Sequence, residues 1–120
     1  MNKYHAEHTW VRLEGDTALV GITQHAQDTL GDIVFVDFAE TGKTFAQGNV
    51  AGVVESVKAA ADVHMPASVE ILEANEALRA DPSLANSDPE GAGWFYKVKL
   101  NSPAELDGLM DAAAYQDLTG

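Results

Sequence analysis

The chain contains no cysteine. That excludes disulfides, a thiolate nucleophile and a thiol-ligated metal, so any sulfur chemistry must arrive on a cofactor. Cations are scarce as well: seven Lys and Arg stand against 19 Asp and Glu, a formal net charge of −12 with a pI near 4.4. The basic residues are dispersed, which argues against binding a phosphate backbone, so no nucleic-acid partner is expected. Such a surplus suits solubility and docking onto basic faces of other proteins. Long apolar runs are missing too. Although 46% of the residues are hydrophobic, no run approaches the roughly 20 residues of a membrane helix. The start, Met1-Asn2-Lys3-Tyr4-His5, lacks the apolar core of a secretory signal and the arginines of a mitochondrial presequence. The expectation is a soluble protein of the bacterial cytoplasm with no membrane contact, folded as a single domain over residues 1–120.

What the chain does have is a run of β-branched residues, Val50 to Val57, that climbs to one lysine, Lys58, followed by Ala59-Ala60-Ala61-Asp62. A second β-rich run, Ser68 to Leu72, follows and is expected to return as the partner strand. This reading places Lys58 near a hairpin tip, where its amine meets solvent and other proteins. A turn lysine is by itself an ordinary solvated charge. Here small residues around it leave room for a modifying enzyme, and Glu55, three residues earlier, offers a recognition handle.

Elsewhere the signals are of short strands and frequent turns. Glu7 to Leu13 and Thr17 to Ile22 read as strands joined by Glu14-Gly15-Asp16. Thr23 is placed to cap a short helix that stops at Gly31. Ile33 to Phe38 is a strand too apolar for an exposed edge, and closely spaced turns around Gly42 and Gly48 leave room only for very short strands. Asn75 caps a helical turn through Ala80, Asp81-Pro82 opens another, and a loop runs from Asn86 to Gly93. Trp94 to Leu100 alternates, with Trp94, Tyr96, Val98 and Leu100 on one face and Phe95, Lys97 and Lys99 on the other. Ser102-Pro103-Ala104-Glu105 has the form of a capping box, and Asp111 caps a last helix carrying Ala114, Tyr115 and Leu118. The pattern points to an all-β sandwich or flattened barrel with short peripheral helices. His5 and His8 would point to opposite faces of an extended segment, so no metal site is expected, and no paired-acid or nucleophile–base motif indicates a catalytic residue.

The runs His8-Thr9-Trp10-Val11, Val20-Gly21-Ile22-Thr23, Leu30-Gly31-Asp32-Ile33-Val34-Phe35-Val36, Val54-Glu55-Ser56-Val57-Lys58-Ala59, Asn86-Ser87-Asp88-Pro89 and Asp111-Ala112-Ala113-Ala114-Tyr115 together resemble the glycine cleavage system H-protein family. These are carriers within the lipoyl and biotinyl superfamily, and the resemblance extends over nearly the whole chain. Glu-Ser-Val-Lys-Ala is its specific part, since other lipoyl domains usually place aspartate before the lysine and biotin carriers usually flank it with methionines. The resemblance implies an all-β barrel-sandwich hybrid with lipoate in amide linkage on Lys58 and Glu55 read during lipoylation. It implies a non-catalytic carrier that shuttles an aminomethyl group from glycine decarboxylase to a tetrahydrofolate-dependent aminomethyltransferase. Dihydrolipoamide dehydrogenase would reoxidise the arm, a lipoate ligase or lipoyl transferase would attach it, and the carrier itself would be a monomer. Lysine plus lipoate is about ten bonds long and swings roughly 12–14 Å, so the tether delivers its cargo without losing it to diffusion.

In the family the loaded arm folds into a cleft whose acids face its amine. Asp62 matches one of these. The other usual acid lies in His-Glu-Trp, where this chain has Thr9, and Glu7, two residues earlier on the same face of a strand, is expected to supply the charge. Further departures are Ala61 for serine, Met65 for a small residue, Val69 for the glycine that opens the returning strand, Ala39 for proline and Glu90 for an aromatic. Two alternatives remain: a lipoyl relay that passes lipoate to other apo-proteins, and an unmodified acidic β-fold adaptor.

Overall fold

The computed structural model describes residues 2–119, and its strands fall into two antiparallel sheets. Six strands, β1 (Asn2–His5), β2 (Thr9–Glu14), β3 (Thr17–Ile22), β9 (Tyr96–Leu100), β8 (Val69–Ala74) and β5 (Thr44–Phe45), lie in the order β1-β2-β3-β9-β8-β5. Three more, β4 (Ile33–Phe38), β6 (Val50–Ser56) and β7 (Ala60–His64), form the second sheet in the order β4-β6-β7. The helices are short and lie outside the sheets: α1 (Gln24–Leu30), α2 (Glu76–Ala80), α3 (Leu84–Ser87), a 3-10 turn at Pro103–Gly108, and α4 (Ala112–Thr119). This is the expected barrel-sandwich architecture.

The main core gathers Val11, Val20, Ile33, Val36, Val54, Val63, Met65, Val69, Ile71 and Val98, contributed by both sheets and, with Met65, by the segment that follows β7. A smaller cluster of Tyr4, Trp10 and Tyr115 seals α4 against the first hairpin. Trp10 is fully buried because its indole N–H finds two carbonyls, donating to Ile22 (2.8 Å) and Pro89 (3.0 Å).

Several expectations are corrected. The strand that returns from Lys58 is β7, immediately after the tip, whereas Val69–Ala74 pairs with β9 in the other sheet. Alanine is a poor strand former, but Ala60 and Ala61 need only span the distance to buried Val63, and cross-strand pairing overrides propensity. Glu7 belongs to the turn between β1 and β2, not to a strand. β4 lies at the end of its sheet, with Val34 and Phe35 both exposed, because a register shift between Ile33 and Phe35 turns two successive side chains outward. Phe35 and Phe95 reverse the pattern reading. Phe95 precedes β9, escapes its alternation and is buried, with its ring edge-on to those of Phe38 and Tyr96.

The capping box does not form either. Ser102 makes no side-chain cap, and Glu105 instead accepts hydrogen bonds from the Ser68 N–H (2.7 Å) and hydroxyl (2.9 Å). α3 starts after Ser83, two residues later than expected, since the Asp81 carboxylate takes the Ser83 N–H first, and it includes Asn86 and Ser87 of the supposed loop. Thr23, Asn75 and Asp111 do cap their helices through side-chain oxygens, and Gly31 ends α1 at φ +80°. Val69 meets no conformational difficulty, because it lies in β8, paired with Phe45 and Leu100, and the chain needs no glycine-like turn there.

Candidate functional site

Lys58 is exposed in a three-residue connection between β6 and β7. Ser56 builds the turn: its hydroxyl oxygen accepts from the N–H groups of Lys58 (3.2 Å) and Ala59 (3.1 Å), while its own N–H donates to the Ala59 carbonyl (2.8 Å). The Val57 N–H donates to the Asp32 carbonyl (3.0 Å), which ties the tip to the loop after α1. The lysine stem lies over Gly31, where an added Cβ would come within 3.2 Å of Lys58 Cε. Asn86 holds that loop in place. Its amide donates to the carbonyl of Gly31 (2.9 Å) and the side chain of Gln27 (3.0 Å), and its oxygen accepts from the Ile33 N–H (2.8 Å). Asn86 belongs to the run Asn86-Ser87-Asp88-Pro89, but no local spacing signals that it supports the lysine from a distant helix.

Beside the hairpin, a cleft of about 330 Å³ opens between α1, the β1–β2 turn and β7. Ile22, Ala26, Leu30 and Val54 make its apolar walls, and Glu7, Thr9, His25, Asp62 and His64 supply polar groups. The cleft lies close to the lysine, since Leu30 lines it and the next residue, Gly31, underlies the lysine stem. Asp62 pairs with Val53 and is exposed at the rim, and Glu7 reaches the same cleft from its turn. The structure therefore brings Glu7 and Asp62 to one cavity, although the strand geometry expected for Glu7 is absent. Glu55, paired with Phe35 and Ala60, is exposed on the outer sheet face near the tip. Thr9 is 1% exposed, and its hydroxyl has no hydrogen-bond partner among the described residues. A buried orphan hydroxyl is unfavourable by about 1–3 kcal/mol, so its place in this wall marks a position where a ligand's polar group would be accommodated.

Three imidazoles surround the cleft, a convergence that their scattered positions did not signal. His8 adopts φ +67°, the left-handed region that non-glycine residues rarely enter. Its carbonyl accepts from the Thr23 N–H (3.1 Å), its Nδ1 lies 2.7 Å from the Tyr115 hydroxyl, and its ring centroid is 4.7 Å from that of His25. The Tyr115 hydroxyl also meets Thr23 Oγ1 at 2.7 Å, so α4 and α1 together hold the strained turn.

Burial holds the His8 imidazole below the usual histidine range; the nearby His25 lowers it further and Glu7 opposes. His5 is lowered in the same way, by burial first, with Glu7 opposing and His64 adding. Folding thus favours both neutral forms. Their contribution is complete above the unfolded value of 6.5 and is lost as pH falls through the lower folded values. Melting temperature should fall between about pH 7.5 and pH 5. His8→Asn, which tolerates the left-handed backbone, should melt with a shallower acid dependence; an unchanged slope would separate His8 from the effect.

Other departures have local explanations. Ala39 provides an N–H that donates to the Tyr96 hydroxyl (2.8 Å), which a proline cannot do. Glu90 accepts from the Tyr4 hydroxyl (2.7 Å), the Asn2 amide (3.3 Å) and the Gln24 N–H (3.1 Å), joining β1 to the start of α1. Met65 is completely buried in the core, and Ala61 leaves its stretch of the cleft wall apolar.

A family model described as glycine cleavage H-protein matches residues 2–120. The glycine cleavage system H protein of Phenylobacterium zucineum (strain HLK1) is 53% identical over 113 residues, covering 94% of this chain and 93% of the relative. That of Chromobacterium violaceum is 57% identical over 114 residues, covering 94% of this chain and 89% of the relative. The crystal structure of a glycine cleavage system H protein from Mycobacterium marinum superposes with a TM-score of 0.87 at 38% identity, covering 97% of this chain and 94% of the other. With a family model matched over residues 2–120, relatives at 53% and 57% identity and the same overall architecture, the chain belongs to the glycine cleavage H-protein family.

Proposed function

We propose that Lys58 is the lipoyl attachment site and that the chain is the mobile-arm carrier of glycine cleavage. The observation that carries this reading is the exposed lysine whose stem crosses Gly31 beside a cleft containing two carboxylates and an unpartnered hydroxyl. These residues fit the group: the missing side chain at Gly31 leaves a path along the loop. Asp62, four residues from Lys58 at about 3.3 Å per strand residue, is within reach of an arm of roughly 12–14 Å. When bound, lipoate would supply a dithiolane able to hold an aminomethyl group between glycine decarboxylase and the tetrahydrofolate-dependent aminomethyltransferase, with dihydrolipoamide dehydrogenase restoring its disulfide.

The chain's own residues hold and shelter. Lys58 anchors the arm by an amide, which removes its charge, and Glu55 presents a carboxylate to the lipoate ligase or lipoyl transferase. Asp62 and Glu7 turn negative charge toward the cargo's ammonium, and Thr9 offers a lone pair from the wall. Both carboxylates are exposed, so each contributes only about 0.2–1 kcal/mol, comparable to one hydrogen bond from buried Thr9 at about 1 kcal/mol. Asp62→Asn, Glu7→Gln and Thr9→Val are each expected to shorten the lifetime of the loaded arm about 2–5-fold. Thr9→Val should leave thermal stability equal or higher, because it removes a buried group that has no partner among the described residues. Unchanged lifetimes in all three variants would remove the cleft from this role.

A lipoyl relay is the second reading, favoured by Thr9 standing where the family has an acid. It needs Lys58 and Glu55 but not the cleft, so transfer of lipoate from this protein to another apo-carrier, unaffected by Asp62→Asn, would support it.

A further inference from the structure

We infer that the outer face of β4, Val34 and Phe35 together with Val57, is the surface on which the enzyme that acylates Lys58 docks; this rests on the carrier reading above. The three side chains are 55%, 51% and 67% exposed, a concentration of bare apolar surface around a single reactive lysine. The register shift in β4 turns Val34 and Phe35 outward together, where a regular strand would bury one of them. Phe35 pairs with Glu55, and the Val57 N–H is held by the Asp32 carbonyl, so the apolar face and the lysine tip belong to one fixed unit.

The face continues into a groove of about 340 Å³ bordered by Val34, Phe35, Phe38, Arg79 and Pro82. Arg79 lies 5.2 Å over the Phe38 ring and is paired with Glu76 (3.0 Å), which leaves exposed Asp37 on the groove, with Glu55 opposite Phe35 and Asp32 beside Val57, to make the surroundings of the apolar face acidic. The occupant this fits is an apolar side chain flanked by lysine or arginine on the acylating enzyme. A large side chain seated in the groove would fix the approach of that enzyme to Lys58 and admit this lysine in preference to the others.

The test is steady-state acylation of the full chain by a purified lipoate ligase with lipoate and ATP, read by intact mass, with the carrier concentration varied. Phe35→Ala and Val57→Ala should each raise KM about 10-fold with kcat retained, the size expected on removing an apolar anchor. Leu13→Ala, at an equally exposed site on β2, should leave both constants unchanged, and circular dichroism melts of all variants should overlay. Unchanged kcat/KM in both Phe35→Ala and Val57→Ala overturns the docking surface while the carrier reading stands. An effect confined to later delivery steps assigns the face to another enzyme and also overturns it. No acylation of the wild-type chain overturns both readings together.

Discussion

Lys58→Arg is expected to abolish acylation completely while leaving the fold intact. Acyl transfer needs a nitrogen that can shed a proton and attack; the guanidinium keeps its charge, with a pKa above about 12, and is no nucleophile under such conditions. Incubated with lipoate ligase, lipoate and ATP, the wild type should gain one lipoyl increment that maps to the peptide spanning Lys58, and the variant none. Stability should change by no more than about 0.5 kcal/mol, because the turn is held by backbone groups and Ser56, and the Lys58 side chain forms no salt bridge among the described residues. The same variant separates the classes of function: a carrier or relay loses everything, whereas an adaptor keeps its partners. An increment on the variant would point to another lysine. Lys43, exposed on the turn before β5, is the one to map first.

The largest structural effect is expected from Gly52→Ala. Gly52 lies in β6 at φ +139°, within the irregular pairing between Val50 and Val53. An added Cβ would come to 2.8 Å from the Asp37 carbonyl oxygen and 2.8 Å from the Tyr96 hydroxyl. Neither neighbour can withdraw. The carbonyl is part of the β4 backbone, and the Tyr96 hydroxyl is engaged twice, donating to the Ala51 carbonyl and accepting from the Ala39 N–H. Burial pushes this phenol up to about 12, so it remains a neutral donor across the working range. Backbone strain of about 1–3 kcal/mol and overpacking of a similar size together predict a loss of about 3 kcal/mol or more, roughly 10 °C in Tm. Ser at this position would fare no better, since it carries the same Cβ. A calorimetric scan showing a shift under about 2 °C would mean that the bulge relaxes freely. Because β6 leads into the Lys58 turn, acylation of Gly52→Ala should fail at temperatures where the wild type is still modified.

How much was legible beforehand depended on the range of the interactions involved. The turn at Lys58, the Thr23, Asn75 and Asp111 caps, the Gly31 stop and the very short β5 were readable because each is decided within a few residues. The partner of β6 was misread because a strand's neighbour is chosen by long-range burial. Val63 and Val69 are both fully buried valines, and nothing in either segment says which sheet it joins. Phe35 outside and Phe95 inside invert the pattern for the same reason: a one-residue irregularity or a late strand start moves a side chain to the other face. Glu105 left its local cap because the Ser68 N–H and hydroxyl needed an acceptor more than the exposed turn did.

By itself, the sequence determined the architecture class, the position of the lysine and its exposure, since short β-rich segments, frequent turns and one hairpin motif are local properties of the chain. Only the tertiary structure decided what surrounds that lysine. It brought Glu7 and Asp62 to one cleft, left the Thr9 hydroxyl buried without a partner among the described residues, and tied Asn86 to the Gly31 loop. Those relations span up to 55 residues in separation, and at such distances it is the packing of two sheets around one core, not any local preference, that selects which side chains meet.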